Sequence, residues 1–485
     1  MSLKQKTITG LIWSFIDSFI NLGVQFLVGI ILARILSPKE FGLIGMLSIF
    51  IAISQTFIDS GFSNALIRKR ECTQTDYSTI FFFNLAVGLF FFLLLFALSS
   101  AISSFFGEAQ LKPLIQVLGI GLIFNSLGSI QSTILTKSIN FKLQTKVSLI
   151  ASLGSGIIAI AMALKGFGVW SLVALTLSRY GLNSIFLWVW GKWKPTLVIS
   201  KKSFIELFGF GSKLLVGGLI DAAYRNIYYM IIGKYFSAQE LGFYTRADQF
   251  TALPSSTLTS IIQRVSYPVL ASIREDKMQL RETYKKTIRA TMFICFISML
   301  GMAAIAEPMV ITLIGEKWRA CIIYLQMLCF VGMFYPLHAL NLNMLMVLGR
   351  SDLLLRLEII KKALAVPIFI MGVICGIKAM IFGMMSITLI TYYLNSYWSG
   401  RFIGYSFFKQ IKDVLPSFLL AVIMSSTVFA EGLLVPLPPL PKLIMQLITG
   451  ALLIVGLCEG FHFKDYRYIK EIVIDKFVIN RKNDR

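Results

Sequence analysis

The chain has 485 residues, of which 56% are hydrophobic and only 14% charged, with 40 Phe and 19 Met. That charged share is about half of what a soluble domain carries, which excludes a soluble enzyme and indicates an integral membrane protein. A net charge of +22 would suggest nucleic acid in a soluble chain, but here it must first be read against loop topology.

A hydrocarbon core about 30 Å thick calls for about 20 apolar residues per helix. About fourteen such segments are predicted, near 9–36, 40–61, 78–101, 111–136, 144–164, 167–190, 206–236, 240–272, 287–314, 320–348, 353–375, 378–400, 412–431 and 440–460. Lys4 and Lys6 precede the first, but it contains Asp17 and Asn21 and no small-residue cleavage site follows, so it reads as a retained membrane helix. Ser14, Asp17, Asn21 and Gln25 fall on one face of it. The second carries Ser48, Gln55 and Asp59 in line, and the sixth carries Arg179 with Asn183 four positions on. The seventh carries Lys213, Gly217, Asp221 and Arg225, each four apart. The eighth holds Arg246, Asp248, Gln249 and Arg264, and its Pro254 and Pro268 suggest an interrupted helix. Arg34, Arg264, Lys361 and Lys362 lie nearer helix ends and read as snorkelling to headgroups, with Glu358 neutralising Lys361 or Lys362. His338 and Asn341 read as a helix-packing pair, and Pro436–Pro441 forms the turn between the last two segments.

Loop charge sets the topology. The N-terminus, Arg68–Arg70, Lys137–Lys146, Lys192–Lys202, Arg274–Arg289, Arg350 with Arg356, Arg401–Lys412 and the tail hold most of the 46 Lys and Arg. The alternate connections hold only Lys39, Lys112, Lys165, Lys234, Lys317, Arg319, Lys378 and Lys442. The positive-inside rule then places both termini in the cytoplasm and accounts for most of the net charge without a nucleic-acid partner.

A faint internal copy organises the chain. Ile31–Gly42 aligns without gaps on Ile231–Gly242, with identities at Ile31/Ile231, Ser37/Ser237, Glu40/Glu240 and Gly42/Gly242, and Arg34/Lys234 keeping its charge. Both copies follow a long apolar segment that starts on the cytoplasmic side, which describes parallel repeats related by an axis along the membrane normal. The predicted organisation is an N-lobe at 1–190, a cytoplasmic connector at 191–204, a C-lobe at 205–405, two added helices within 406–462 and a cytoplasmic tail at 463–485. In the same register Asn21 matches Asp221 and Gln25 matches Arg225, so both lobes turn a polar stripe the same way. Asp or Arg facing lipid at mid-depth costs about 2.5–3.5 kcal/mol. The stripes therefore face either a hydrated interior, which the duplication favours, or a closed hydrogen-bond network between helices.

Other chemistries lack their residues. The six Cys show no paired spacing, and the two His are far apart, so neither a disulfide framework, a metal site nor a Ser-His-Asp set is indicated. Gly191-Lys192 is followed by Trp193 and Gly233-Lys234 by Tyr235, so no phosphate-cradling Walker loop is present and no cofactor is implied.

Leu32–Gly45 running on to Phe57–Arg68, together with Ile262–Arg274 and Gly315–Trp318, resembles the Wzx-type polysaccharide flippases of the multidrug/oligosaccharidyl-lipid/polysaccharide superfamily, in their colanic-acid-exporter branch. The resemblance implies an all-α, V-shaped bundle in the bacterial cytoplasmic membrane, with two parallel six-helix lobes around a central cavity and two extra C-terminal helices. It implies a flippase, not an enzyme, that moves undecaprenyl-diphosphate-linked oligosaccharide outward by alternating access, beside membrane lipid and a glycan polymerase or other assembly proteins. On the stripe argument, Lys213, Arg225, Arg246 and Arg179 attract the diphosphate or an acidic sugar, and Asn21, Gln25 and Gln249 hydrogen-bond sugar hydroxyls. Asp17, Asp59, Asp221 and Asp248 are candidates for coupling to H+ or Na+. The rival functions are a drug or cation antiporter of the same superfamily, which would favour an acidic, aromatic pocket, and a membrane glycan polymerase or ligase, which would need a sizeable external loop.

Overall fold

The computed structural model describes residues 3–59 and 61–471; within them the side chains of residues 3–12, Ser14, Phe15, Ile261, Arg264 and Ser351 lie outside the described set. Among the described residues no β-strand occurs. The helices are α1 (Leu3–Ile35), α2 (Pro38–Asp59), α3 (Phe62–Arg68), α4 (Gln74–Phe106), α5 (Leu111–Lys137), α6 (Phe141–Leu164), α7 (Trp170–Trp190) and α8 (Lys201–Tyr235). They continue with α9 (Ala238–Ser272), α10 (Lys277–Ala304), α11 (Ala306–Ile314), a 3₁₀ turn (Glu316–Trp318), α12 (Cys321–Gly332), α13 (Tyr335–Val347), α14 (Ser351–Cys375), α15 (Ile377–Ile403), α16 (Phe407–Leu434) and α17 (Pro439–Gly460).

Every predicted segment is helical, but by length and apolar composition twelve spans, not fourteen, can cross a membrane among the described residues. The two that fall short are α9 and α14. Both are long enough, yet α14 carries Asp352, Arg356, Glu358, Lys361 and Lys362, and α9 carries Glu240, Arg246 and Asp248. The apolar side chains that α4 and α17 leave exposed, such as Phe90, Leu93 and Phe96 on α4 and Ile448 and Leu452 on α17, suit a lipid solvent and would be costly in water.

Helix ends follow local chemistry. Thr73 and Asp76 form a reciprocal capping box that starts α4. Asp276 accepts from the amides of Met278 and Gln279, both at 2.9 Å, to start α10. Gly61 separates α2 from α3 at φ +66°, a conformation that disfavours any side chain. The prolines of α9 do not interrupt it: the helix runs unbroken through Pro254 and Pro268. Hydroxyls of Thr251, Ser255 and Thr259 bond back to backbone carbonyls of the preceding turn along this stretch. The breaks fall instead at Ile305, between α10 and α11, and at Met333–Phe334, between α12 and α13.

Two compact units result, Met1–Thr245 and Arg246–Arg485, with the division inside α9. In the first unit α4 packs on α5, α6 on α7 and α1 on α6, while α8 packs on α2, α3 and α4. This last contact carries the unit past the 191–204 connector. The two copies of the repeated motif meet here. A Cβ on Gly42 would overlap the carbonyl oxygen of Ala238, and one on Gly242 would overlap that of Pro38. In the second unit α10 packs on α16, α14 on α15 and α16 on α17.

Candidate functional site

The polar face of α1 is spent largely on α6. Asn21 donates to Asp17 Oδ1 at 2.8 Å and to Ser148 Oγ at 3.0 Å, Ser152 donates to Asn21 Oδ1 at 2.6 Å, and Ser148 donates to Asp17. Ser148 and Ser152 are four apart on α6, so one helical face receives both α1 groups. For Asp17 and Asn21 the arrangement is thus the hydrogen-bond network between helices; Gln25, a turn further on, stays exposed. Arg179 on α7 is half-buried and within electrostatic reach of Asp17 and Tyr180. Tyr180 accepts from Gln55 of α2.

Beyond Gln55 the unit opens into a pocket of about 370 Å³ walled by α2, α3, α5 and α7. Asp59 stands at the end of α2, Ser63 and Asn64 on α3, Asn125, Ser129, Ser132, Thr133 and Thr136 on α5, and Asn183 on α7. Sequence reasoning marked Asp59 and Asn183 and missed the α5 wall. Its signal was present: Asn125, Ser129, Ser132 and Thr136 recur at spacings of four, three and four, which is one helical face. Some of these groups serve structure. Thr133 donates to Ser63 at 3.0 Å, and Gln144 bridges Ser132 and Thr136 at 3.4 Å. Among the described residues the side chains of Asp59, Asn64, Asn125 and Asn183 make no hydrogen bond within the protein. Among the described residues no Lys, Arg or aromatic side chain lines the pocket.

A family model described as polysaccharide biosynthesis protein matches residues 31–323, which include the whole pocket wall. The chain belongs to the polysaccharide biosynthesis protein family. Its similar relatives include the lipopolysaccharide biosynthesis protein WzxC of Escherichia coli K12, 27% identical over 86% of this chain and 83% of that protein. The teichuronic acid biosynthesis protein TuaB of Bacillus subtilis is 25% identical over 73% of each chain, and the succinoglycan biosynthesis transport protein ExoT of Rhizobium meliloti is 24% identical over 65% of this chain and 64% of that one. The fold of this family member matches that of the lipid II flippase MurJ in an inward closed conformation, with a TM-score of 0.74 at 15% identity over 94% of this chain and 99% of that one. An inward-facing multidrug resistance MATE transporter gives 0.61 at 15% identity over 79% and 94%.

The remaining predicted residues of this polysaccharide biosynthesis protein lie elsewhere. Lys213, Asp221 and Arg225 are exposed along α8, and none lines the pocket. Arg246, expected to line a cavity, is buried in the second unit with its guanidinium 5.7 Å from the centre of the Trp318 ring. Asp248 is half-buried and Gln249 exposed on the same helix. Glu358 pairs with Lys361 and reaches Lys362 at 4.0 Å, as their spacing suggested. His338 meets Asn395 at 3.3 Å and not Asn341, because α13 turns the two residues toward different partners. Among the described residues no cluster of His, Cys, Asp and Glu could hold a metal ion.

Proposed function

We propose that this protein is a secondary transporter that flips lipid-linked oligosaccharide from the inner to the outer leaflet of the bacterial cytoplasmic membrane. It serves surface polysaccharide assembly and is not an enzyme. The observation that carries the reading is the polar pocket of about 370 Å³ inside a membrane unit of a transporter fold. A sugar head cannot cross hydrocarbon unaided: each hydroxyl buried without a partner costs about 2–7 kcal/mol, and an isolated ion far more. A wall of hydroxyls and carboxamides replaces lost water while the lipid tail stays in the bilayer.

The diphosphate is assigned to Lys213 and Arg225, whose charges α8 displays, with Arg179 as a third cation. Coupling to H+ through Asp59, or to H+ or Na+ through Asp17, Asp221 or Asp248, completes the cycle. The basic connections set both termini in the cytoplasm. Undecaprenyl diphosphate as the carrier and a glycan polymerase as a neighbour follow from the family reading. A drug antiporter calls for an acidic, aromatic wall; Asp59 supplies the acid, but among the described residues no aromatic side chain lines the pocket, which disfavours that cargo.

Complementation tests the reading. In a bacterium lacking its own glycan flippase, expression of this chain restores surface glycan and clears lipid-linked repeat units from the inner leaflet. A strain that gains drug resistance while its lipid-linked glycan stays trapped overturns the proposal.

A further inference from the structure

The geometry points to the α2–α3–α5–α7 pocket as a subsite for one or two neutral sugar residues of the glycan head, with Asp59 excluding acidic sugars and the diphosphate. The inference rests on the flippase reading and assigns one part of the cargo to one place.

Three observations carry it. The first is unused hydrogen-bonding capacity. Asn64, Asn125 and Asn183 each offer a carbonyl acceptor and an NH₂ donor, and among the described residues none is engaged by another protein group. Paired donors and acceptors are what vicinal hydroxyls require, since each hydroxyl both donates and accepts. The second is charge. A diphosphate is held by Arg and Lys, whereas among the described residues the ionisable side chain on this wall is a carboxylate, Asp59. A phosphate or a uronic acid placed here meets the like charge of Asp59, with no Lys or Arg among the described lining residues. The third is size. At about 370 Å³ the space falls within the ~300–1,000 Å³ of small-molecule pockets. A bare cation needs oxygens converging to about 2.3–2.6 Å, and a wall drawn from four helices around a volume of this size does not supply that shell. Ser129 and Ser132, one helical turn apart on α5, add hydroxyls along the same wall.

The test uses the full chain in phospholipid nanodiscs and saturation-transfer NMR with four probes: methyl glucoside, methyl N-acetylglucosaminide, methyl glucuronide and inorganic pyrophosphate. The two neutral glycosides receive saturation; the glucuronide and pyrophosphate leave that signal undiminished when added in excess. Asn125→Leu with Asn183→Leu weakens neutral binding about tenfold, the loss of roughly one to two good hydrogen bonds. Ile67→Trp adds bulk to the pocket from a partly exposed wall residue without removing a polar group and has the same effect, which guards against a folding defect in the double variant. Asp59→Asn admits the glucuronide. Neutral binding that survives both the double variant and Ile67→Trp overturns the assignment, as does displacement by pyrophosphate. Sodium-dependent protection against heat that vanishes in Asp59→Asn, with no glycoside signal, makes the pocket an ion site and also overturns it. Failure of the wild-type chain to complement glycan export strikes the flippase reading instead and leaves glycoside binding as a separate result.

Discussion

The buried Asn341 of the second unit and the pocket asparagines of the first use the same residue type in opposite ways. In the second unit Asn341 is fully buried and completely engaged: it accepts from Tyr284 at 3.0 Å and Ser399 at 2.5 Å, and donates to the Leu337 carbonyl at 2.9 Å. Gln410 joins it at 3.4 Å and donates to the Tyr405 carbonyl at 3.2 Å, and Tyr405 donates to Asp413, which pairs with Lys285 at 3.2 Å. Four helices, α10, α13, α15 and α16, are tied by this chain of bonds. In the first unit Asn64, Asn125 and Asn183 stand in a pocket with their amides uncommitted. A saturated, fully buried amide such as Asn341 serves structure; Asn64, which is exposed, and Asn125 and Asn183, which are half-buried, keep their amides open to water or to a ligand.

The contrast can be broken most violently at Asn341. Replacing it by Leu strands the Tyr284 hydroxyl, takes a partner from the Gln410 amide that met it, and leaves Ser399 only the long bond to the Ser396 carbonyl at 3.4 Å, each lost partner costing about 1–3 kcal/mol. The expected result is loss of the folded species, read as a collapsed monodisperse peak on size exclusion and a large drop in the melting temperature. Asn125→Leu is the matched experiment in the first unit: stability moves by less than about 1 kcal/mol because no protein bond is lost, while glycan export falls about tenfold. An Asn125→Leu protein that melts like Asn341→Leu would erase the distinction. Next comes Ser148→Ala, which removes a shared partner of Asp17 and Asn21 and is expected to cost about 1 kcal/mol, measured by thermal melting in detergent. The smallest effect is at the rim of the second unit's network. Lys285→Met removes a partly exposed ion pair with Asp413 and should change stability by no more than about 1 kcal/mol, fading further at high salt.

Much of the fold was legible because a helix that must satisfy its own backbone in lipid leaves long apolar runs in the sequence. The interruptions were not. Pro308 and Pro336 stand just past the breaks at Ile305 and Phe334, in the first turn of the helices that follow, but Pro254 and Pro268 carry the same signal inside a helix that ignores it, so proline alone does not mark a break. At the site, Asp59 and Asn183 stood out as groups that are expensive in an apolar segment. The α5 wall did not, because Ser, Thr and Gly are also ordinary helix-packing residues in membranes and their periodicity carries little contrast. Arg246 was read as a cavity group from its charge alone. Its partner Trp318 lies in a distant segment, and only the folded chain brings the ring over the guanidinium.

The reciprocal contact of the repeated motifs has a consequence for any attempt to divide the protein. Gly42 receives the Ala238 carbonyl and Gly242 that of Pro38, and these are matching places in the two copies. The contact maps onto itself under a half-turn, the isologous geometry of a twofold dimer written into one polypeptide. A chain cut within residues 191–204 would yield two fragments that each carry a self-complementary patch, so co-expressed halves would compete between mutual pairing and association with their own kind.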